Sequence, residues 1–329
     1  MATKLKLGYL ETTLDFDERY FHLAEDCVGA VVHFSFRGKR YVICFPNFDF
    51  AKLSAFGHPQ PTADNTKIGL DWLSHKRVEG NDYGSEFTHN PQTKTVLGFN
   101  ANRLIVRSRG PITSAQAQEA KKVLPTWRNL FADWLEATEY TDMTYNGVTV
   151  EQPDNIQAYF IPKDKPKTSR RLKSGNPLNY VISTNIQNGI EKKSLMRALK
   201  LASTGQSPPG YYQQITSALK YFHNNDYRQC VLDAATAFEM AMTQILDTRL
   251  KELTPIQRKL IEDKYVQIVG LSDSLRKLGV LMPTKADIQT KIAEPRNSAI
   301  HRGKTITKVV AQDALSFVKD FIYTQLPIK

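Results

Sequence analysis

The chain has 329 residues, 41% of them hydrophobic and 23% charged, a length and balance that suit two folded domains and exclude wholesale disorder. Its 44 lysines and arginines against 33 aspartates and glutamates leave a formal net charge of +11, which favours polyanionic partners over cationic ones. No run approaches the roughly 18 apolar residues of a membrane-spanning helix, and the start, Met1-Ala2-Thr3-Lys4-Leu5-Lys6, holds no signal-peptide core. A cytoplasmic protein without membrane contact is expected. Cys27, Cys44 and Cys230 are odd in number, far apart and outside any metal-ligand spacing, so each is read as a small buried hydrophobe.

From the N-terminus, strand-like runs fall at 5–10, 30–36 and 40–45, with Arg37-Gly38-Lys39 turning the last two into a hairpin. A second hairpin is predicted from 95–99 and 104–107, turned by Asn100-Ala101-Asn102. One strong helix spans 114–137, where Val123, Leu124, Trp127, Leu130, Phe131 and Trp134 mark an apolar face around a kinking Pro125. Further strands are predicted at 148–150 and 158–161. The pattern predicts a β-rich domain over 1–162, a sandwich or open barrel with one long packed helix. Its chemistry is sparse. His22, His33, His58, His75 and His89 share no spacing with carboxylates or cysteines that would hold zinc. Asp15-Phe16-Asp17-Glu18 lacks a second acidic motif and reads as a solvated loop. Neither a phosphate-binding glycine loop nor a Gly-x-Ser-x-Gly elbow is present. Sensing or partner binding is the default reading of this half.

Residues 163–204 read as a basic linker region. Lys163, Lys165, Lys167, Arg170, Arg171, Lys173, Lys192, Lys193, Arg197 and Lys200 stand there against Asp164 and Glu191 alone, a local charge of +8. Two readings stay open: a cluster that attracts a phosphate backbone, or a solvated linker extended by self-repulsion. Pro166, Gly175 and Pro177 among the lysines predict a mobile segment over 163–177, with Arg170, Arg171 and Lys173 as candidate RNA contacts.

Residues 205–329 read as helical. Ile215, Leu219 and Phe222, then Val231, Ala235, Phe238, Met242 and Ile245, recur at helical spacing on either side of Asn224-Asn225-Asp226. That arrangement predicts an antiparallel helical hairpin with Asp226 as N-cap. Further helices are predicted at 255–268, at 285–302 with a kink or restart at Pro295 and a stop at Gly303, and at 308–325. The helix at 285–302 and its stop carry Arg296-Asn297-Ser298-Ala299-Ile300-His301-Arg302-Gly303. A guanidinium grips phosphate at two points, an imidazole moves a proton near neutral pH, and an amide positions either. Asn297 and His301 are four apart and share a helix face, whereas Arg296 and His301 are five apart, roughly 140° around. One copy makes a poor pocket, so a homodimer through the C-terminal helices is expected to complete it. Glu239, within Ala237-Phe238-Glu239-Met240-Ala241, reads as a buried partner for Arg296 or another motif residue; the alternative is an exposed helix former. Arg302 and Lys304 add cations for RNA.

Two stretches together carry a family resemblance. Ala218-Leu219-x-Tyr221-Phe222-x-Asn224-Asn225-Asp226-Tyr227, followed by Ala234-Ala235-x-Ala237-Phe238-Glu239, forms the hairpin; Arg296-Asn297-x3-His301-x-Gly303 follows near the end. In this order and at this separation they resemble the HEPN superfamily of small helical domains, over about 205–329. The resemblance implies a metal-independent endoribonuclease that pairs two Arg-x4-His motifs across a dimer, or a non-catalytic binding member of the same family. It also implies a setting in prokaryotic defence or a toxin pair, with a protein or phage-derived trigger at the N-terminal domain. One toxin subgroup has a tyrosine two residues after the histidine; Gly303 stands there, so that subgroup's tyrosine control is not expected.

Arg296, Asn297 and His301 are therefore the expected catalytic residues, with no metal and no cofactor. His301 acts as general base on a 2′-hydroxyl or general acid to the 5′-oxygen, and Arg296 stabilises the charged transition state. The alternatives are a non-catalytic RNA- or protein-binding module and a structural dimeric adaptor.

Overall fold

The computed structural model describes residues 7–16, 19, 21–53, 59–63, 87–90, 95–101, 103–139, 157–162, 170–173, 189–251, 253–256, 259, 268–301 and 305–328. Two compact units divide the chain: 1–139 with 143–207, and 208–329 with 140–142.

The first unit is built on antiparallel strands. In chain order they are β1 (Leu7–Asp15), β2 (Phe21–Ala24), β3 (Val31–Phe36), β4 (Lys39–Cys44), β5 (Pro46–Leu53), β6 (Pro59–Ala63), β7 (Phe87–Asn90), β8 (Thr95–Ala101), β9 (Arg103–Ser108) and β10 (Ile112–Thr113). After helix α1 (Ser114–Glu139) come β11 (Gln157–Pro162), β12 (Arg170–Lys173) and helix α2 (Lys192–Ala202). The main sheet runs β12-β11-β1-β9-β4-β3, with β10 also pairing to β1; β2-β8-β7 and β5-β6 form smaller sheets.

The β3–β4 hairpin closes as its turn residues dictate. Phe36 pairs with Lys39, leaving Arg37 and Gly38 at φ 47° and 74°. Positive φ at both central residues matches the right-handed twist of the strands, and glycine adopts it without strain. Alternation along β3 buries Val32, Phe34 and Phe36 and leaves His33 and Ser35 exposed. On the buried face Phe34 stacks on Trp127 of α1 at 4.1 Å between ring centroids and on Tyr41 at 5.2 Å. Trp127 in turn stacks on Phe131 at 5.4 Å. Each side chain of this size contributes ~1.5–3 kcal/mol by leaving water, so α1 is held by its apolar stripe, with Pro125 inside it.

Two sequence expectations for this unit are corrected. Residues 95–101 and 103–108 are strands but not a hairpin: β8 pairs with β2 and β7, and β9 with β1 and β4. Leu104, Ile105, Val106, Arg107 and Ser108 are all buried, so both faces of β9 are covered and it sits inside the sheet with a partner on each edge. The basic stretch 163–204 is not simply a linker. Arg170–Lys173 hydrogen-bonds to β11 and is the last strand of that sheet among the described residues, main-chain pairing being indifferent to charge. Lys192–Ala202 is a helix because Leu195, Ala198, Leu199 and Ala202 fall on one stripe and pack against α1. The strand expected at 148–150 lies outside the described residues, as do 163–169 and 174–177.

The second unit is helical: α3 (Gly210–His223), α4 (Tyr227–Arg249), α5 (Ile268–Lys277), α6 (Lys285–Ile288), a π-helical turn (Gln289–Ala293), α7 (Glu294–His301) and α8 (Lys308–Gln325). The hairpin of α3 and α4 turns through Asn225 at φ 61°, and the Asp226 carboxylate accepts the Gln229 N–H at 3.1 Å. That bond satisfies one orphan donor of α4 and starts the helix there. Phe238 of α4 is fully buried and meets Phe321 of α8 edge-on at 4.7 Å. Ala234, Ala235, Ala237 and Ala241 keep the neighbouring surface of α4 small enough for close packing. Thr307 caps α8 through the Val310 N–H. Most of the helix expected over 255–268 lies outside the described residues, and α5 begins at Ile268.

Among the described residues no helix is long and apolar enough to cross a membrane.

Candidate functional site

The π-helical turn before α7 sets the motif's register. Pro295 has no N–H to bond back to Lys291, and its ring would strike that carbonyl in an unbroken α-helix. Here the Glu294 N–H reaches Gln289 O, five residues back, so one residue is looped out just ahead of the proline. Helical geometry resumes over Glu294–His301 with Pro295 and Ala299 buried. At about 100° per residue, Arg296, Ile300, Asn297 and His301 then follow one another around the opposite side. Asn297 and His301 are exposed, Ile300 is 41% exposed, and Arg296 is partly covered.

Arg296 points to α4. Its Nη2 lies 3.6 Å from Oε1 of Glu239, and the two side chains are about one-third exposed (35% and 33%). The Glu239 carboxyl is pushed up from its ordinary range, chiefly by burial, with the Arg296 charge opposing. Among the described residues no hydrogen bond joins Arg296, Asn297 and His301 to one another. The helix thus presents an imidazole and an amide outward on one face, with a guanidinium tethered beside them. It does not close a pocket around the three.

A second basic residue supports the motif from below. The Nε of Arg228 donates to the carbonyl of Ala299 at 2.9 Å. Arg228 stands in the first turn of α4, where a cation opposes the helix dipole, but it reaches the negative end of α7, where a cation is favoured. Sequence reasoning missed this residue. The misplaced cation at a helix start was the available signal.

A groove of about 360 Å³ opens next to Glu239, between the start of α3 and the middle of α4, with Pro209, Gly210, Tyr211, Met240 and Asp247 among its walls. Its two carboxylates make it a poor seat for phosphate.

Arg302 and Lys304 lie outside the described residues. Arg170, Arg171 and Lys173 lie on β12 of the first unit. All three cysteines are free and buried, and burial pushes the Cys27 and Cys230 thiols up to about 12. Among the described residues no group of three or more His, Cys, Asp or Glu is placed to hold a metal ion.

Comparison of the chain with known protein families, with curated proteins and with solved structures found no match in any of the three.

Proposed function

We propose that the chain is a metal-independent endoribonuclease of the HEPN type, working as a homodimer through its C-terminal helices. The observation that carries the reading is the exposed arc of α7, on which Arg296, Asn297 and His301 are displayed around Ile300. His301 takes the proton from a ribose 2′-hydroxyl, the 2′-oxygen attacks the adjacent phosphorus, and the bond to the 5′-oxygen breaks. The partner's His301, protonated, gives its proton to the leaving 5′-oxygen. The products are a 2′,3′-cyclic phosphate and a 5′-hydroxyl. Arg296 stabilises the extra charge on the phosphorane-like transition state, and Asn297 hydrogen-bonds phosphate or orients His301. Glu239 holds Arg296 in place until phosphate competes for it. Arg302, Lys304, Arg170, Arg171 and Lys173 add affinity for RNA. The N-terminal unit is the sensor or regulator, answering a protein or phage-derived trigger in a prokaryotic defence or toxin system.

The ion pair to Glu239 also favours a second reading, a non-catalytic RNA- or protein-binding module or dimeric adaptor in which Arg296 merely joins α7 to α4. Purified protein incubated with labelled tRNA and mRNA in EDTA separates the two. The nuclease cuts, His301→Ala slows it by about 10² to 10⁴, and Arg296→Lys does not restore an Arg296→Ala loss because an ammonium cannot grip phosphate at two points. Cleavage that vanishes in EDTA, or a folded His301→Ala variant cutting at the normal rate, sinks the mechanism.

A further inference from the structure

The basic stretch read from sequence as one run is divided by the fold, and its second half becomes an organised surface. Helix α2 carries Lys192, Lys193, Arg197 and Lys200 and no acidic residue. At about 100° per residue, these four and Met196 fall within one arc of roughly 140°. All five are exposed, with Met196 at 40%. The remaining side of the helix is committed elsewhere: Leu195, Ala198, Leu199 and Ala202 are at most 2% exposed. Two acids stand at the helix start: Glu191, exposed, precedes Lys192 in the chain, and Asp26 has both carboxylate oxygens engaged by the Lys192 N–H at 3.1 and 3.0 Å, so Asp26 caps the helix. Among the described residues none of the four cations is held in an ion pair.

Four cations over eight helical steps span about 12 Å, a density matched by successive phosphates of a nucleic acid strand. We propose that this face of α2 is an RNA-backbone docking surface of the N-terminal unit, with Met196 lying against a sugar or base between the phosphates. The choice of RNA rests on the ribonuclease reading of the C-terminal unit. A lipid surface fits less well, because basic helices that lie in membranes insert their apolar face, and here that face is buried against α1.

The test uses the full chain carrying His301→Ala, so that RNA survives the measurement, with a short fluorescein-labelled RNA followed by anisotropy between about 50 and 200 mM KCl. Replacing Lys192, Lys193, Arg197 and Lys200 together by glutamine is expected to flatten the slope of log Kd against log salt by about 3, at roughly 0.7 per lost phosphate contact on a single strand. Replacing the three lysines by arginine should leave the slope as it was, which shows that charge and not misfolding is read. An unchanged slope in the glutamine variant overturns the proposal. So does binding of phosphatidylserine vesicles that the glutamine variant loses while RNA binding is kept, an outcome that assigns the face to lipid. Cleavage by the His301 protein with an unchanged slope removes this surface and keeps the nuclease; a flattened slope without cleavage removes the nuclease and keeps the surface.

Discussion

Glu239 shows how one carboxylate couples the motif to pH. Its folded-state pKa is raised, burial outweighing the attraction of Arg296, so the fold prefers the protonated form. The stability this contributes is complete below the ordinary glutamate range and is lost as pH rises through the raised value. Glu239→Gln, a neutral isostere, is therefore expected to match the wild type in acid and to be no less stable at neutral pH. Denaturant midpoints taken on both sides of the carboxylate range check this. A variant that weakens steadily relative to wild type as pH rises would mean that the ion pair outweighs burial. The same proton competes with Arg296: once Glu239 is neutral, the guanidinium is released, and loss of the tether should appear in binding before it appears in folding.

Two elements depend on charges set against their own neighbours. Arg228 contributes nothing favourable to the start of α4 but closes the end of α7 through Ala299. Its removal as Arg228→Ala is expected to cost about 1 kcal/mol, the net scale of an ordinary hydrogen bond, because solvent screens the exposed Arg228 charge. The loss should be local, read as faster amide exchange over residues 296–301 with exchange in α3 unchanged. Uniformly faster exchange would mean that Arg228 serves global packing instead. In the main sheet, Glu11 and Arg107 face one another across β1 and β9 with Nε and Oε2 2.7 Å apart, and are 5% and 1% exposed. Truncating one partner takes the facing counter-charge away from a buried group, so Glu11→Ala or Arg107→Ala should each cost about 3–5 kcal/mol. Replacing both by apolar residues of similar size should cost much less. Equal losses for single and double variants in urea titrations would show that the two charges do not act as a pair.

At the scale of the whole molecule the question is what covers the exposed arc of α7. Ile300 sits between Arg296 and Asn297 at 41% exposure, and Val309 at the start of α8 is 66% exposed. In the isologous dimer proposed above, such side chains are expected to meet their own copies, and each protomer is expected to complete the other's motif. Ile300→Glu places like charges there without disturbing the buried side of the helix. The expected result is a monomer in sedimentation at micromolar concentration, with RNA cleavage lost and the melting curve kept. A wild type that sediments as a strict monomer while cutting RNA removes the composite site.

Local signals were legible in the chain itself: the α3–α4 hairpin with its Asp226 cap, the last helix, the long α1 and the Arg37-Gly38 turn. Each is decided by neighbours within a few residues, through capping, side-chain period or the sign of φ. The partner of Glu239 was left open between Arg296, another motif residue and none; the structure sets it 3.6 Å from Arg296 with one-third of its side chain exposed, not in the buried setting its apolar neighbours suggested. Which strand joins which was not legible, because β8 and β9 carry the same strand propensity and only the burial of both faces of β9 assigns it an interior place. The Glu11–Arg107 pair and the Arg228 clasp were hidden for the same reason: 96 and 71 residues separate their partners, and no local pattern spans such a distance. The basic run 163–200 supplied charge, but its division between a strand paired to β11 and one face of a helix packed on α1 came from partners distant in the chain, which only the tertiary structure determines.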